Sequence, residues 1–348
     1  MRSGYFKERF VQQLDLTDSL AERVWFAAVF VVLITLPAYA SPYLLGHMTT
    51  ILYTLVAALG LNVLTGFTGL VSLGNVAFLI LGAYGYAIGS TRLGLHPLLA
   101  FALAGFVPAV AGLVVGFPAL RLKGLYLAIT TLAFVYVVHS AILTGGDFTG
   151  GARGIMVARP DVFGINFSSD RALYWLCFAV AMFSLFCVIN IRRSRLGRSF
   201  MAIRDNDTAA VSMGISLTTY KLLAFTISSF FVGLSGGLMV LFINFANIEG
   251  FPFLLSIEAL AIVIVGGLGS TLGAVLGTVF IMTLPEITNQ LLSSASATIG
   301  QQLTTGALEI KGILYGSAIV AFLLLDPRGL VGLWIDLKRW WVNRPIRY

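Results

Sequence analysis

An all-α polytopic membrane protein with about ten transmembrane helices is the fold class this sequence predicts, on three observations. First, its 348 residues are 58% hydrophobic and 11% charged, with a mean hydropathy of +0.93. A soluble domain carries about 25% charged residues because its surface faces water; most of this surface must face something else. Second, many windows are long and apolar enough for a hydrocarbon core about 30 Å thick, which takes about 20 residues to cross. Third, the basic residues are lopsided. With both termini on the cytoplasmic side, all but five of the 22 Lys and Arg (Arg92, Arg153, Arg159, Arg171 and Lys311) fall in inside segments, the positive-inside pattern. A barrel is excluded, since barrel strands alternate apolar and polar while these runs are apolar on every face.

The elements follow in order. Residues 1–23 form a cytoplasmic N-terminus in which Phe6, Phe10, Val11 and Leu14 have helical spacing, an amphipathic lead-in. The first span, 24–40, ends in Ala38-Tyr39-Ala40, which resembles a signal-peptidase site. The segment before it is long and mixed in charge, unlike a short basic leader, so an uncleaved span is the better reading. Further spans are expected at 47–65, 76–90, 97–117, 125–143, 173–191 and 222–244. Two shorter ones, 254–265 and 272–285, are separated by the glycine-rich stretch 266–271, a tight turn at membrane depth. A last span at 313–325 closes a permease domain over 24–333, leaving 334–348 as a cytoplasmic tail. Trp340 and Trp341 beside Lys338 and Arg339 suit an interfacial anchor. Two loops are long: 144–171, external and rich in glycine, a candidate cap, and 192–220, internal and basic.

Enzyme chemistry is tested by what is missing. His47, His96 and His139 are scattered and match no metal-ligand spacing. The Gly-x-Ser-x-Gly string at 233–237 lies inside the span expected at 222–244 rather than at a strand-to-helix turn, and there is no Walker-type loop. Cys177 and Cys187 lie within one span and read as packing residues rather than a disulfide or metal pair. The net charge of +7 belongs to cytoplasmic loops rather than to nucleic-acid binding. An ion-coupled carrier would need ionisable groups at depth. Glu258, Glu286 and Asp326 are the candidates, and all three read as lying near span ends. Transport driven by another subunit fits better.

In the inner loop, Leu196, Phe200 and Ile203 fall on one helical face, and Asn206 or Asp207 can N-cap a second short helix that Gly214 closes. Two readings are even: a knob for a partner's groove, or an amphipathic loop lying on the membrane. The stretch 60–74, rich in glycine and hydroxyls, has a counterpart at 266–277. Glycine-interrupted segments in matching positions point to a transport path, and close helix packing explains them equally well.

Together these segments resemble the permease subunits of branched-chain amino acid ABC importers, the LivM-type half of the pair. The carriers are GLNVLTGFTGLVSLGNVAFLILGAYG (60–85), LRLKGLYLAITTLAF (120–134), TGGARGI (149–155), SRLGRSFMAIRDNDTAA (194–210), KLLAFTISSFFVGLSGGL (221–238) and VGGLGSTLGAVLG (265–277). The resemblance spans about residues 60 to 285, and 194–210 is its most specific motif. It implies a type II ABC importer permease fold in a bacterial inner membrane. The partners it implies are a second homologous permease, two cytoplasmic ATPase subunits and a periplasmic or extracellular solute-binding protein. No cofactor is expected on this chain, with ATP and Mg on the ATPase. Its coupling residues would be Gly197, Arg198, Ala202, Ile203, Arg204, Asp205, Asn206, Asp207, Ala209 and Ala210. Gly197 would allow tight entry to the helix, Ile203 would fill the ATPase groove, and Arg204 and Asp205 would be rim contacts. Pathway candidates are Asn62, Thr65, Asn75, Phe78, Tyr84, Thr130 and Phe134. Asn75 stands where many relatives carry His, Ser199 replaces a usual Ala, and Asp207 a usual Glu. The change at Asn75 leaves urea or another small amide as an alternative solute to branched-chain amino acids.

Overall fold

The computed structural model describes residues 20–119, 122, 124–162, 165–167, 169–296, 316–317, 320 and 329–342. Among these, nine of the expected spans are helices. They are α1 (Leu20–Tyr39), α2 (Pro42–Leu61), α3 (Asn75–Thr91), α4 (Pro97–Ala119), α5 (Leu125–Thr144) and α6 (Asp170–Arg193), and, beyond the short helices α7 (Arg195–Asp205) and α8 (Asp207–Ser212), α9 (Leu217–Ile243), α10 (Leu254–Gly266) and α11 (Thr271–Ser296). A further helix, α12, covers Gly329–Val342. The N-terminal stretch before Leu20 and the expected span at 313–325 lie outside the described residues. Six of the described helices are long and apolar enough to cross a membrane, and the parts of α1 and α11 at Val29–Tyr39 and Thr271–Ile287 are shorter apolar helices.

One boundary differs from expectation. Helix α11 continues through Pro285 to Ser296; a proline costs one backbone hydrogen bond, which packed neighbours in a membrane bundle can restore. Helix α12 includes 333/334, where the tail is expected to begin.

The bundle is organised around α2 and α9. In the most apolar window of α2, 83% of residues are buried, against 39% for α4 and α6 and 33% for α5, so α2 is interior and the others present apolar faces outward. Helix α9 packs against α3 and α4 at backbone distance. A Cβ on Gly82 would fall on the Gly233 carbonyl, one on Gly236 on the Leu79 carbonyl, and one on Gly233 on Ala104 O and Pro108 Cγ. Small residues let membrane helices approach this closely, where dispersion contacts replace the hydrophobic drive that lipid removes. Tyr84, Phe67, Phe225 and Leu59, all under 2% exposed, fill the core these helices enclose.

The interruption expected around 60–74 is real. Helix α2 widens into a π-helical stretch, Asn62–Phe67, and the chain then runs without helix to α3. Irregular backbone inside a membrane protein needs internal partners. Here hydroxyls supply them: Thr131 Oγ1 accepts from Leu73 N at 3.0 Å, Ser72 Oγ from Gly74 N at 3.2 Å and Ser256 Oγ from Val76 N at 3.1 Å, while Thr65 Oγ1 donates to Leu70 O at 3.1 Å. The tight turn between α10 and α11 also forms, spanning residues 267–270.

The glycine-rich loop after α5 folds into a cap. It holds a one-turn helix (Gly146–Thr149), a 3-10 turn (Gly151–Arg153) and three two-residue strands. Strand β1 (Ile155–Met156) pairs antiparallel with β4 (Phe245–Ala246), which follows α9, and β2 (Asp161–Val162) pairs with β3 (Ile165–Asn166). Arg159 bridges Asp170 at 2.8 Å and donates to Asn244 Oδ1 at 3.2 Å. Arg92 donates to Asp147 O at 2.7 Å. The cap is thereby tied to the ends of α3, α6 and α9.

Candidate functional site

At the opposite end of the bundle, α7 and α8 form a compact unit built from its capping residues. Ser194 closes α6 and opens α7, donating to Ile191 O at 2.7 Å and accepting from Gly197 N at 3.4 Å. Asn206 closes α7 and N-caps α8, its Oδ1 accepting from Thr208 N at 2.9 Å and Ala209 N at 3.1 Å. The far end of α8 closes as a Schellman motif: Ile215 N donates to Ala210 O and Gly214 N to Val211 O, with Gly214 at φ +79°. Asp207, the first residue of α8, pairs with Lys221 of α9 at 3.1 Å, and Lys221 is 5% exposed. Capping by Asn206 and closure by Gly214 therefore stand as the sequence predicts, and Asp207 serves as an ion-pair partner.

The apolar stripe faces inward. Phe200 is fully buried, its ring edge-on to Tyr220 at 6.2 Å, and Ile203 is 3% exposed. Ile203 is thus already packed within its own chain and is not free to fill a partner's groove. Gly197 is buried against the end of α6, where a Cβ would strike Ile191 O and lie 2.7 Å from Arg192 Cα, in keeping with the tight entry expected of it. Exposed on the unit's outer side are Arg198, Asp205 and Ala209, together with Val211 at 53% and Met213 at 68%. Ala202 is half-buried and Ala210 buried. Val211 and Met213 are the apolar pair the sequence reading missed. The stripe at 196, 200 and 203 carried the stronger helical signal, and periodicity is silent on which way a stripe turns.

Arg204 makes an inward contact as well. Its side chain remains largely exposed, but Nη1 donates to Gly66 O at 2.7 Å. The Asn62 amide spans the same junction, accepting from Gly269 N at 3.0 Å and donating to Ser270 O at 3.2 Å. Asn62 and Thr65 are therefore occupied in holding backbone. Thr130 Oγ1 donates to its own helix at Tyr126 O, 2.9 Å away. Tyr84 Oη, at the cap end, lies 3.5 Å from Ala246 O. Phe78 and Phe134 come together, rings 5.7 Å apart between α3 and α5. Asn75 lies one turn before Phe78, is 2% exposed, and neither polar atom of its side chain has a hydrogen-bond partner among the described residues. Seven candidates from one list thus divide between backbone staples and a small group around Asn75, Phe78 and Phe134. Glu258, expected near a span end, is 5% exposed within α10. No group of three or more His, Cys, Asp or Glu able to hold a metal occurs among the described residues.

The model of the branched-chain amino acid transport system permease component matches residues 43–323. The chain belongs to that family. Among its relatives are the high-affinity branched-chain amino acid transport system permease proteins LivM of Salmonella typhimurium and of Escherichia coli K12, each 32% identical over 90% of this chain and 76% of the relative. The probable branched-chain amino acid transport permease protein LivH of Methanocaldococcus jannaschii is 25% identical over 81% of this chain and 90% of its own. No solved structure matches the permease.

Proposed function

We propose that this permease forms half of the translocation path of an ATP-driven importer for branched-chain amino acids, and couples to a separate ATPase through residues 192–220. The observation that carries the reading is the α7–α8 unit: capped at every end, anchored by Phe200, Ile203 and Asp207, and offering Val211 and Met213 among exposed charges. A rigid knob with an apolar tip is what a groove on a partner recognises. In this reading the unit faces the cytoplasm of a bacterial inner membrane, and ATP and Mg are bound by two ATPase subunits. A solute-binding protein delivers cargo to the cap end, and a homologous permease, related as LivM and LivH are, completes the path. Energy enters because the ATPase pair binds the unit differently in its two states.

The test is copurification of the tagged chain from native membranes in mild detergent. The double variant Val211→Asp, Met213→Asp is expected to lose at least nine-tenths of the ATPase that accompanies wild type, with the second permease retained. Wild type that brings down no ATPase after crosslinking would sink the proposal. Ile203→Asp is a poorer probe, since it buries a charge within the chain itself.

Asn75 is where we place polar contact with the solute, beside the Phe78–Phe134 pair. A buried amide with unmade hydrogen bonds costs about 1–3 kcal/mol for each group. Asn75→Leu is therefore expected to leave thermal stability unchanged or higher while uptake by the full assembly falls at least tenfold. Unchanged uptake, or a lowered melting temperature, would remove Asn75 from the path.

A further inference from the structure

Three elements far apart in sequence converge at one point beneath the α7–α8 unit. At the end of the interrupted α2, Leu64 O and Thr65 O accept from Leu70 N and Gly69 N, and Arg204 of α7 supplies a cationic donor to the next carbonyl, Gly66 O, at 2.7 Å. The α10–α11 turn presses into the same place. A Cβ on Gly269 would lie 2.5 Å from Arg204 Nη1 and 2.9 Å from Gly66 O, so the guanidinium occupies space that exists because position 269 has no side chain. Asn62 then joins the α2 end to that turn through both halves of its amide, to Gly269 N and Ser270 O. The stem of Arg204 packs along Gly69, whose Cβ would come within 3.3 Å of Arg204 Cγ.

We infer that Arg204 is a positioning residue for transport, the link by which movement of the α7–α8 unit reaches both glycine interruptions of the bundle together. The inference rests on the coupling role of residues 192–220 proposed above. A cation near the end of a helix dipole is favourably placed, and an arginine can serve a carbonyl with one N–H while its remaining donors stay hydrated. The contact can therefore follow a displaced α7 without stranding a buried charge. Asn62, with no solvent to fall back on, keeps the two interruptions fixed to each other while Arg204 pulls on them as one body.

The experiment uses the complete assembly in liposomes: this permease, its partner permease, the ATPases and the binding protein. It measures solute moved per ATP hydrolysed, and ATPase retained on purification, for Arg204→Gln, Arg204→Lys and wild type. Arg204→Gln is expected to lower solute moved per ATP at least tenfold while the ATPase stays bound through Val211 and Met213. Arg204→Lys, which keeps one charged donor, is expected to recover at least a third of the wild-type ratio. Loss of the ATPase from Arg204→Gln would make Arg204 a docking contact, and an unchanged ratio would make the link inert; either overturns the inference. Amide hydrogen exchange on the purified full chain separates this from the function proposal, because it needs no ATPase. Arg204→Gln is expected to raise exchange at least tenfold at both 64–70 and 267–270, with the rest of α2 and α9 unchanged. If wild type binds no ATPase the coupling reading falls by itself. If exchange at those two segments does not rise, the link falls whatever the ATPase does.

Discussion

Gly233→Leu is expected to abolish the folded bundle. Position 233 lies between two neighbours at once: its own carbonyl occupies the place of a Cβ on Gly82 of α3, and a Cβ of its own would meet Ala104 O and Pro108 of α4. No rotamer avoids this, because the clash is with backbone and a proline ring rather than with a flexible side-chain end. Inserting extra carbons into a packed core costs about 1–3 kcal/mol and occasionally more, and here α4 would have to leave α9 along a face where Gly233 and Gly237 both touch Ala104. The expected result is no monodisperse protein in detergent, with Gly233→Ala intermediate in yield and melting temperature. Gly250→Ala, where a Cβ meets nothing within 4 Å, should match wild type. A Gly233→Leu protein that elutes and melts as wild type would show that the contact between α3, α4 and α9 is not what holds the bundle.

Gly197→Val is expected to have the second largest effect, and a local one. Its Cβ would occupy the position of Ile191 O and crowd the Arg192 backbone, so α7 must swing away from the end of α6. Phe200 and Ile203, now buried, would be drawn out with it. Burying a Phe or Ile side chain is worth about 1.5–3 kcal/mol each, enough to shift the unit from docked to largely detached while the spans hold. Limited proteolysis should cut within 194–214 at least tenfold faster than in wild type, with the detergent melting temperature of the core little changed. Resistance equal to wild type would mean that the α6–α7 junction can relax without undocking.

The spans were legible because lipid imposes one strong requirement, about 20 apolar residues without charge, and windows such as 97–117 and 173–191 meet it with no help from the rest of the fold. The caps at Asn206 and Gly214 were legible for a similar reason: each is a local arrangement between one side chain or one φ and the adjacent backbone. The orientation of α7 was not. Leu196, Phe200 and Ile203 make the same stripe whether it meets a partner or its own bundle, and the choice depends on Tyr220 and the α6 end. The same ambiguity attends three of the path candidates. Asn62, Thr65 and Thr130 are polar residues in spans, and whether such a residue serves a solute or a stray backbone group is decided by what lies across from it. Thr131 and Ser256, which satisfy Leu73 N and Val76 N, carried no signal, since hydroxyls in an apolar run are commonplace.

The staple at Asn62 has a consequence for biosynthesis. Its partners Gly269 and Ser270 lie 207 and 208 residues further along the chain, and a ribosome adding about 5–20 residues per second needs about 10–40 s to make that length. Throughout that interval the Asn62 amide is unmatched, and the Gly66 carbonyl is unmatched until Arg204, 138 residues further on, has been made. The nascent chain must be sheltered by the insertion machinery, or by a neighbouring subunit, until its C-terminal third arrives. Fragments ending before residue 266 should accordingly be quality-control substrates even though every span they contain is apolar enough to insert.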